Sequence, residues 1–148
     1  MSTRDAREKR ETEMSATMIF VNLPVKDLDA SKAFWAKLGY SCNPQFTDDT
    51  SACLVISDTI YAMLLTEPRF KGFTHKAIAD TSTTTEALLC LSAESRDKVD
   101  ELVDAALAAG ATEPRAAQDH GFMYGRAFED LEGHTWEIMW MDPAAVQG

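Results

Sequence analysis

The stretch Met18–Tyr40, MIFVNLPVKDLDASKAFWAKLGY, changes its period half-way along. Over Met18–Val25 the residues Ile19, Val21, Leu23 and Val25 fall on one side of an extended chain, with Phe20, Asn22 and Pro24 on the other. That two-residue alternation is the pattern of a β-strand. From Lys26-Asp27 onward Ala30, Phe34 and Leu38 recur at four-residue steps, the spacing of one helix face. Asp27 is a candidate N-cap, and Gly39 a candidate stop. Three short strand-like runs follow, Tyr40–Phe46, Ser51–Ile56 and Ile60–Leu65, parted by turn signals at Asp48-Asp49 and Ser57-Asp58. The predicted unit is βαβββ.

The same order is written a second time. After a polar, irregular connection, Thr66–Thr85, that carries one short helix, Ala87–Leu91 reads as a strand and Ser95–Ala109 as a helix. The helix places Val99, Leu102, Val103 and Ala106 at i, i+3, i+4 and i+7 and stops at Gly110, as the first stops at Gly39. Strand-like runs at Thr112–Ala117, Phe122–Phe128 and Thr135–Met141 close the repeat. Laying the copies over each other sets Ala62 opposite Glu137, so only the second copy carries a carboxylate there. The predicted organisation is a charged segment 1–16, either a frayed tail or a surface helix, and then one α+β domain, 17–142. The domain is built from modules 17–66 and 85–142 with the connection 67–84 between them.

Composition limits the partners. The chain has 148 residues and is 45% hydrophobic, enough to bury a core without disulfides or a structural metal. Its 24 acidic residues against 14 basic give a formal net charge of -10, which repels phosphate backbones and anionic lipid heads. Nucleic acid and membrane surfaces are therefore not expected as partners. Cys42, Cys53 and Cys90 show no CxxC or Cys-to-His metal spacing, and their odd number points to a reducing, cytoplasmic compartment. There is no phosphate-cradling glycine loop, no Ser-His-Asp set and no Cys-His nucleophile pair.

Val25-Lys-Asp-Leu28, Ser31-x-x-Phe34-Trp35 and the ending Asp130-Leu-Glu-Gly-His-Thr-Trp-Glu137, set in a doubled βαβββ unit, resemble the vicinal oxygen chelate superfamily. That superfamily includes glyoxalase I, extradiol dioxygenases, methylmalonyl-CoA epimerase and the fosfomycin- and bleomycin-resistance proteins. The resemblance covers Met18 to Asp142. It implies two modules forming a curved mixed sheet whose concave face holds a metal or a small ligand. Metal-using members take one ligand from the first and one from the last strand of each module. Carried over, those positions fall on Phe20, Ala62, Leu88 and Glu137, and only Glu137 has a donor atom. Shifts of two residues keep the face and offer Asn22, and Glu86 or Cys90, as a weaker cage.

The resemblance thus implies a concave pocket formed by Phe20, Asn22, Ala62, Leu88, Tyr124, Arg126 and Glu137, mostly apolar with sparse polar groups, suited to a flat or amphipathic organic molecule. Tyr124 and Arg126 are placed on the Glu137 face, where Arg126 either clamps an anionic ligand or neutralises Glu137. His120, in a turn beside this strand, is either exposed or an acid-base partner for Glu137. His134 is expected to hydrogen-bond backbone. Two functions stay open. One is a metal-free small-molecule binder of the bleomycin-resistance kind, with no cofactor. The other is a lyase, isomerase or dioxygenase using a divalent metal held at Glu137. A homodimer is expected for either, since small members of the superfamily associate.

Overall fold

The structure is a computed structural model and describes residues 15–145. The charged segment 1–16 therefore lies, up to residue 14, outside the described residues. The first module runs β1 (Ile19–Val25), α1 (Leu28–Lys37), β2 (Ser41–Asn43), β3 (Ser51–Val55) and β4 (Ile60–Thr66). A short helix, α2 (Glu67–Phe70), and one 3-10 turn, Lys71–Phe73, open the connection. The second module runs β5 (Leu88–Ser92), α3 (Arg96–Ala108), β6 (Gln118–Asp119), β7 (Met123–Glu129) and β8 (Thr135–Met141). The α+β architecture of two βαβββ modules is the one the sequence predicts.

Each helix starts and stops by the chemistry its ends require. Asp27 caps α1 by accepting from the Ala30 amide at 3.0 Å, and Ser95 caps α3 by accepting from the Lys98 amide at 3.1 Å. Both helices run out into a glycine of positive φ, 94° at Gly39 and 111° at Gly110, a conformation that costs any other residue. The second strand-like run of the second module, Thr112–Ala117, fails where Pro114, which has no amide hydrogen, interrupts it. Only Thr112 bridges, to Glu129, and the paired segment is displaced to Gln118–Asp119. In the first module Pro44 likewise turns the end of the Tyr40–Phe46 run into a 3-10 turn.

The strands form two four-stranded mixed sheets, ordered β1-β4-β3-β2 and β5-β8-β7-β6. In each, the first strand pairs in parallel with the last, and the remaining pairs are antiparallel. The helix-covered faces of both sheets share one core. Leu23, Val25, Ala62 and Leu64 from the first sheet join Val99, Val103, Phe128, Trp136 and Ile138 from the second module. The α1 pair Phe34-Trp35 forms the seam. Trp35 packs edge-on against Trp136 at 4.9 Å and lies 6.1 Å from Phe128, which Phe34 also approaches at 6.1 Å. The opposite faces of the sheets are open, leaving Phe20 51% and Leu88 60% exposed.

A five-residue turn, Asp130–His134, locks the modules together. The Glu132 carboxylate accepts from the amides of Lys26 (2.7 Å) and Asp27 (3.0 Å), so it caps the helix of the other module. His134 is buried and its Nε2–H donates to the Pro24 carbonyl at 2.7 Å, while Nδ1 meets the Glu86 carboxylate. The expected backbone bond of His134 is thus present. Pro24 sits on the edge strand of its sheet, where its missing N–H breaks no ladder bond. Asp130 holds the turn by accepting from the amides of Glu132 (2.9 Å) and His134 (3.0 Å) and from the Trp136 indole (3.0 Å). Burial pushes the Asp130 carboxyl above the usual range, against the charge of His134 and these bonds.

Trp35→Ala is expected to cost about 3–5 kcal/mol, the scale for emptying a large aromatic site. Because Trp35 belongs to both modules, urea unfolding should stay a single transition at a lower midpoint. Asp130→Ala, which strands three donors in an enclosed turn, should cost about 3 kcal/mol in the same measurement.

Candidate functional site

The open face of the second sheet carries the polar group that the sequence singles out. Parallel pairing sets Leu88, Cys90 and Ser92 of β5 beside Thr135, Glu137 and Met139 of β8, all on that face. Glu137, with a side chain 25% exposed, is bound by the guanidinium of Arg115, whose side chain is 34% exposed. Arg115 comes from the irregular segment between α3 and β6. The Cys90 thiol beside them is pushed up, first by burial and then by the charge of Glu137, with Arg115 opposing. A thiol so shifted is a poor nucleophile. On the first sheet the open face is apolar: Phe20 and Tyr61 are stacked at 4.9 Å with planes 10° apart, and Asn22 and Met63 adjoin them.

Several predicted site residues are elsewhere. Ala62 pairs with Val21 and is 0% exposed, so it faces the core, and Leu64 does the same. A one-residue difference in phase turns a strand's side chains to the other face, and Tyr61 and Met63 take the open positions instead. Tyr124 and Arg126 are also on the helix side, because Ala127 is the residue opposite Glu137 while Arg126 pairs with Ile138 and Tyr124 with Trp140. The face expected for them is reversed. Tyr124 Oη donates to Asp100 at 2.6 Å; Arg126 donates to Asp100 (3.0 Å), Asp104 (2.9 Å) and Glu113 (2.9 Å). The bond to Glu113 does most to hold Arg126 protonated, and the Tyr124 bond most to hold the Asp100 carboxyl low. Arg126 therefore does not meet Glu137. His120 is exposed in its turn beside Phe122, and no hydrogen bond links it to Glu137.

Arg115 escapes a sequence reading because it lies in the run Thr112–Ala117, expected as a strand, which Pro114 breaks into an irregular segment. The signal available is the cost of a partly buried carboxylate, which asks for a cation without naming it. A separate cleft of about 1160 Å³ lies against the intermodule turn, lined by Lys26, Lys71, residues 77–85 and residues 129–134. It is open and polar, and it is away from Glu137.

The sequence pattern of the family described as bleomycin resistance protein-like N-terminal matches residues 17–57. No curated protein matches the chain. Among solved structures, a hypothetical protein from S. aureus is similar at 24% identity and a TM-score of 0.72, over 88% of this chain and 98% of its own. A glyoxalase/bleomycin resistance protein/dioxygenase family enzyme from Burkholderia phytofirmans PsJN gives 19% and 0.72, over 86% and 99%. A lactoylglutathione lyase from Agrobacterium tumefaciens gives 18% and 0.62, over 86% and 95%. The fold is that of the vicinal oxygen chelate superfamily.

The position of Glu137 is the one that the resemblance assigns to a metal ligand of the last strand, and the residues around it do not fit a divalent ion. Its carboxylate is engaged by a cation of the protein, Phe20 and Leu88 have no donor atom, and Ala62 faces the core. Among the described residues no three His, Cys, Asp or Glu side chains converge to form a cage. Asn22 and Cys90 do stand on open faces, but on different sheets.

Arg126→Leu should cost about 2 kcal/mol, because three partly exposed acids lose their common cation. Denaturant titration checks it. Asp119, bound through both oxygens by Arg96, has its carboxyl lowered to about 2, chiefly by that bond. Its stabilisation is full above about pH 4, the unfolded range, and is lost as pH falls through about 2. The melting-temperature gap between wild type and Asp119→Asn should accordingly be widest near neutrality and close between those two values.

Proposed function

We propose that the chain binds a small organic molecule on its open sheet faces without a metal, and that two copies pair to enclose the site. The observation that carries this is the Arg115–Glu137 pair, in which a fixed guanidinium stands on the one carboxylate available to a metal. The ligand surfaces are Phe20, Asn22, Leu88 and Glu137, with Tyr61, Met63 and Met139 beside them. Apolar side chains left at 51% and 60% exposure on both modules support a covering partner or ligand, since large exposed apolar surface marks binding sites. A second copy supplies the complementary face by symmetry. Among the described residues no helix is long and apolar enough to cross a membrane, and the three cysteines are unpaired, in keeping with a small-molecule binder of the cytoplasm.

The metal-dependent lyase, isomerase or dioxygenase reading requires Arg115 to leave Glu137. Elemental analysis of protein purified without chelator, with calorimetric titration of zinc, nickel, manganese, iron(II) and magnesium, separates the two. We expect no stoichiometric metal, and no difference between wild type and Glu137→Gln. Stoichiometric metal lost in the variant would overturn the proposal. Light scattering on a size-exclusion column should give twice the chain mass; a monomer at micromolar concentration would remove the pairing.

A further inference from the structure

We infer that Arg115 is the recognition side chain of the second module's open face, and that its free guanidinium nitrogen takes the carbonyl oxygen of a neutral, largely apolar ligand. The inference rests on the small-molecule reading above and names the ligand's chemistry. Guanidinium offers five N–H donors in a rigid fork. Glu137 engages Nη2 alone. Nη1 is enclosed by protein and meets no acceptor, and among the described residues it is the one enclosed side-chain nitrogen or oxygen of which that is true. The two other arginines that reach the second sheet each hold three acceptor contacts. Arg96 binds Asp119 twice and the Gly121 carbonyl once, and lies over the rings of Tyr124 (5.2 Å) and Trp140 (5.1 Å). Arg126 holds three acids.

An enclosed donor without an acceptor is costly, so the arrangement favours any oxygen that reaches Nη1. Three kinds of ligand oxygen or nitrogen are distinguishable by charge. A carboxylate at Nη1 would stand next to Glu137, in a protein of net charge -10, and would be repelled by both. An ammonium would compete with Arg115 for Glu137 and leave Nη1 unmet. A ketone, ester or amide carbonyl completes the fork with no like charge beside it. Nη1 is enclosed, so binding in this proposal turns the fork on its Glu137 bond to present Nη1 to the face, the 34% exposed Arg115 side chain being the part that moves. Leu88, 60% exposed on the same face, offers the apolar neighbour that the rest of such a ligand needs.

The test is NMR of the full chain labelled with ¹⁵N-arginine and with methyl-labelled leucine and methionine, titrated with three probes of one ring size: N-methylbenzamide, benzoate and benzylamine. The Arg115 guanidinium signals are assigned by their loss in R115K. We expect N-methylbenzamide to shift the Arg115 Nη and Leu88 methyl signals, and both charged probes to bind more weakly. R115K keeps a charge on Glu137 but removes the fork, so it should lose at least tenfold in N-methylbenzamide affinity at an unchanged melting temperature. R115M should lose the same, and R115K carries the test if that variant unfolds. Shifts at Leu88 without shifts at Arg115, or undiminished binding by R115K, would overturn the role of Arg115 and leave the small-molecule reading standing. Tighter binding of benzoate or benzylamine would overturn the carbonyl assignment. Silence of Arg115 toward all three probes overturns the inference. The small-molecule reading falls separately, only if a broad fragment library also leaves every open-face signal unmoved.

Discussion

The five-residue turn Asp130–His134 is the constraint on which the arrangement of the two modules depends. Two βαβββ units that each bury one helix face have no intrinsic reason to sit in a single register against one another. The turn supplies one, because each of its polar groups answers a backbone need. Glu132 satisfies two amides at the start of α1, His134 takes the Pro24 carbonyl at the free edge of β1, and Asp130 satisfies the turn itself and the Trp136 indole. Thr81, from the connection, closes the same turn by donating to the Glu132 carbonyl at 2.6 Å. It lies so near that a Cβ at Gly133 would fall 2.6 Å from its Oγ1. Hydrophobic contact in the shared core, Trp35 against Trp136 included, provides attraction without a fixed direction, and these bonds supply the direction.

The orientation of the chemistry follows from that joint. With the helix-covered faces turned into a common core, both open faces turn away from it, and neither module can roof the other's ligand surface through its helix side. The concave pocket pictured from the sequence as the property of one chain becomes two separate surfaces, one aromatic and one bearing an ion pair. In the pairing proposed above, a second copy supplies the cover that neither module gives the other.

Fold and site were unequally legible. Period, caps and glycine stops are local, and βαβββ written twice could be read from Met18–Tyr40 and its echo alone. Proline explains both places where strand-like residues do not pair. Strand phase is different, because it depends on which residues of two strands lie opposite one another. Phe20, Asn22, Leu88 and Glu137 are on the open faces as expected, whereas Ala62, Tyr124 and Arg126 are not, since a shift of a single residue changes the face. In β7 the small residues Gly125 and Ala127 are on the side of Glu137 and the large polar ones lie under α3, whose Asp100 and Asp104 hold Arg126 through a pairing that no local pattern in the sequence marks. The ending Asp130–Glu137 reads as a motif of chemistry; Asp130–His134 form the joint, Trp136 enters the core, and of the two positions on the open face, Thr135 and Glu137, only Glu137 carries a charge.

Two of the cations that the second sheet uses, Arg126 and Arg115, differ in what surrounds them. Arg126 has three acids and an 11% exposed side chain, so its charge is over-compensated and its geometry fixed. Its Nε and Nη1 are both bound to acids that the fold already uses. Arg115 has one acid, a larger exposure and an enclosed nitrogen with no acceptor. A protein under selection for stability alone would remove that unmet donor, because replacing both members of such a pair with apolar residues is often neutral or favourable. In the inference drawn above, that donor stands beside Glu137 on an open face next to exposed apolar side chains, and the oxygen of a ligand supplies the acceptor that the fold does not.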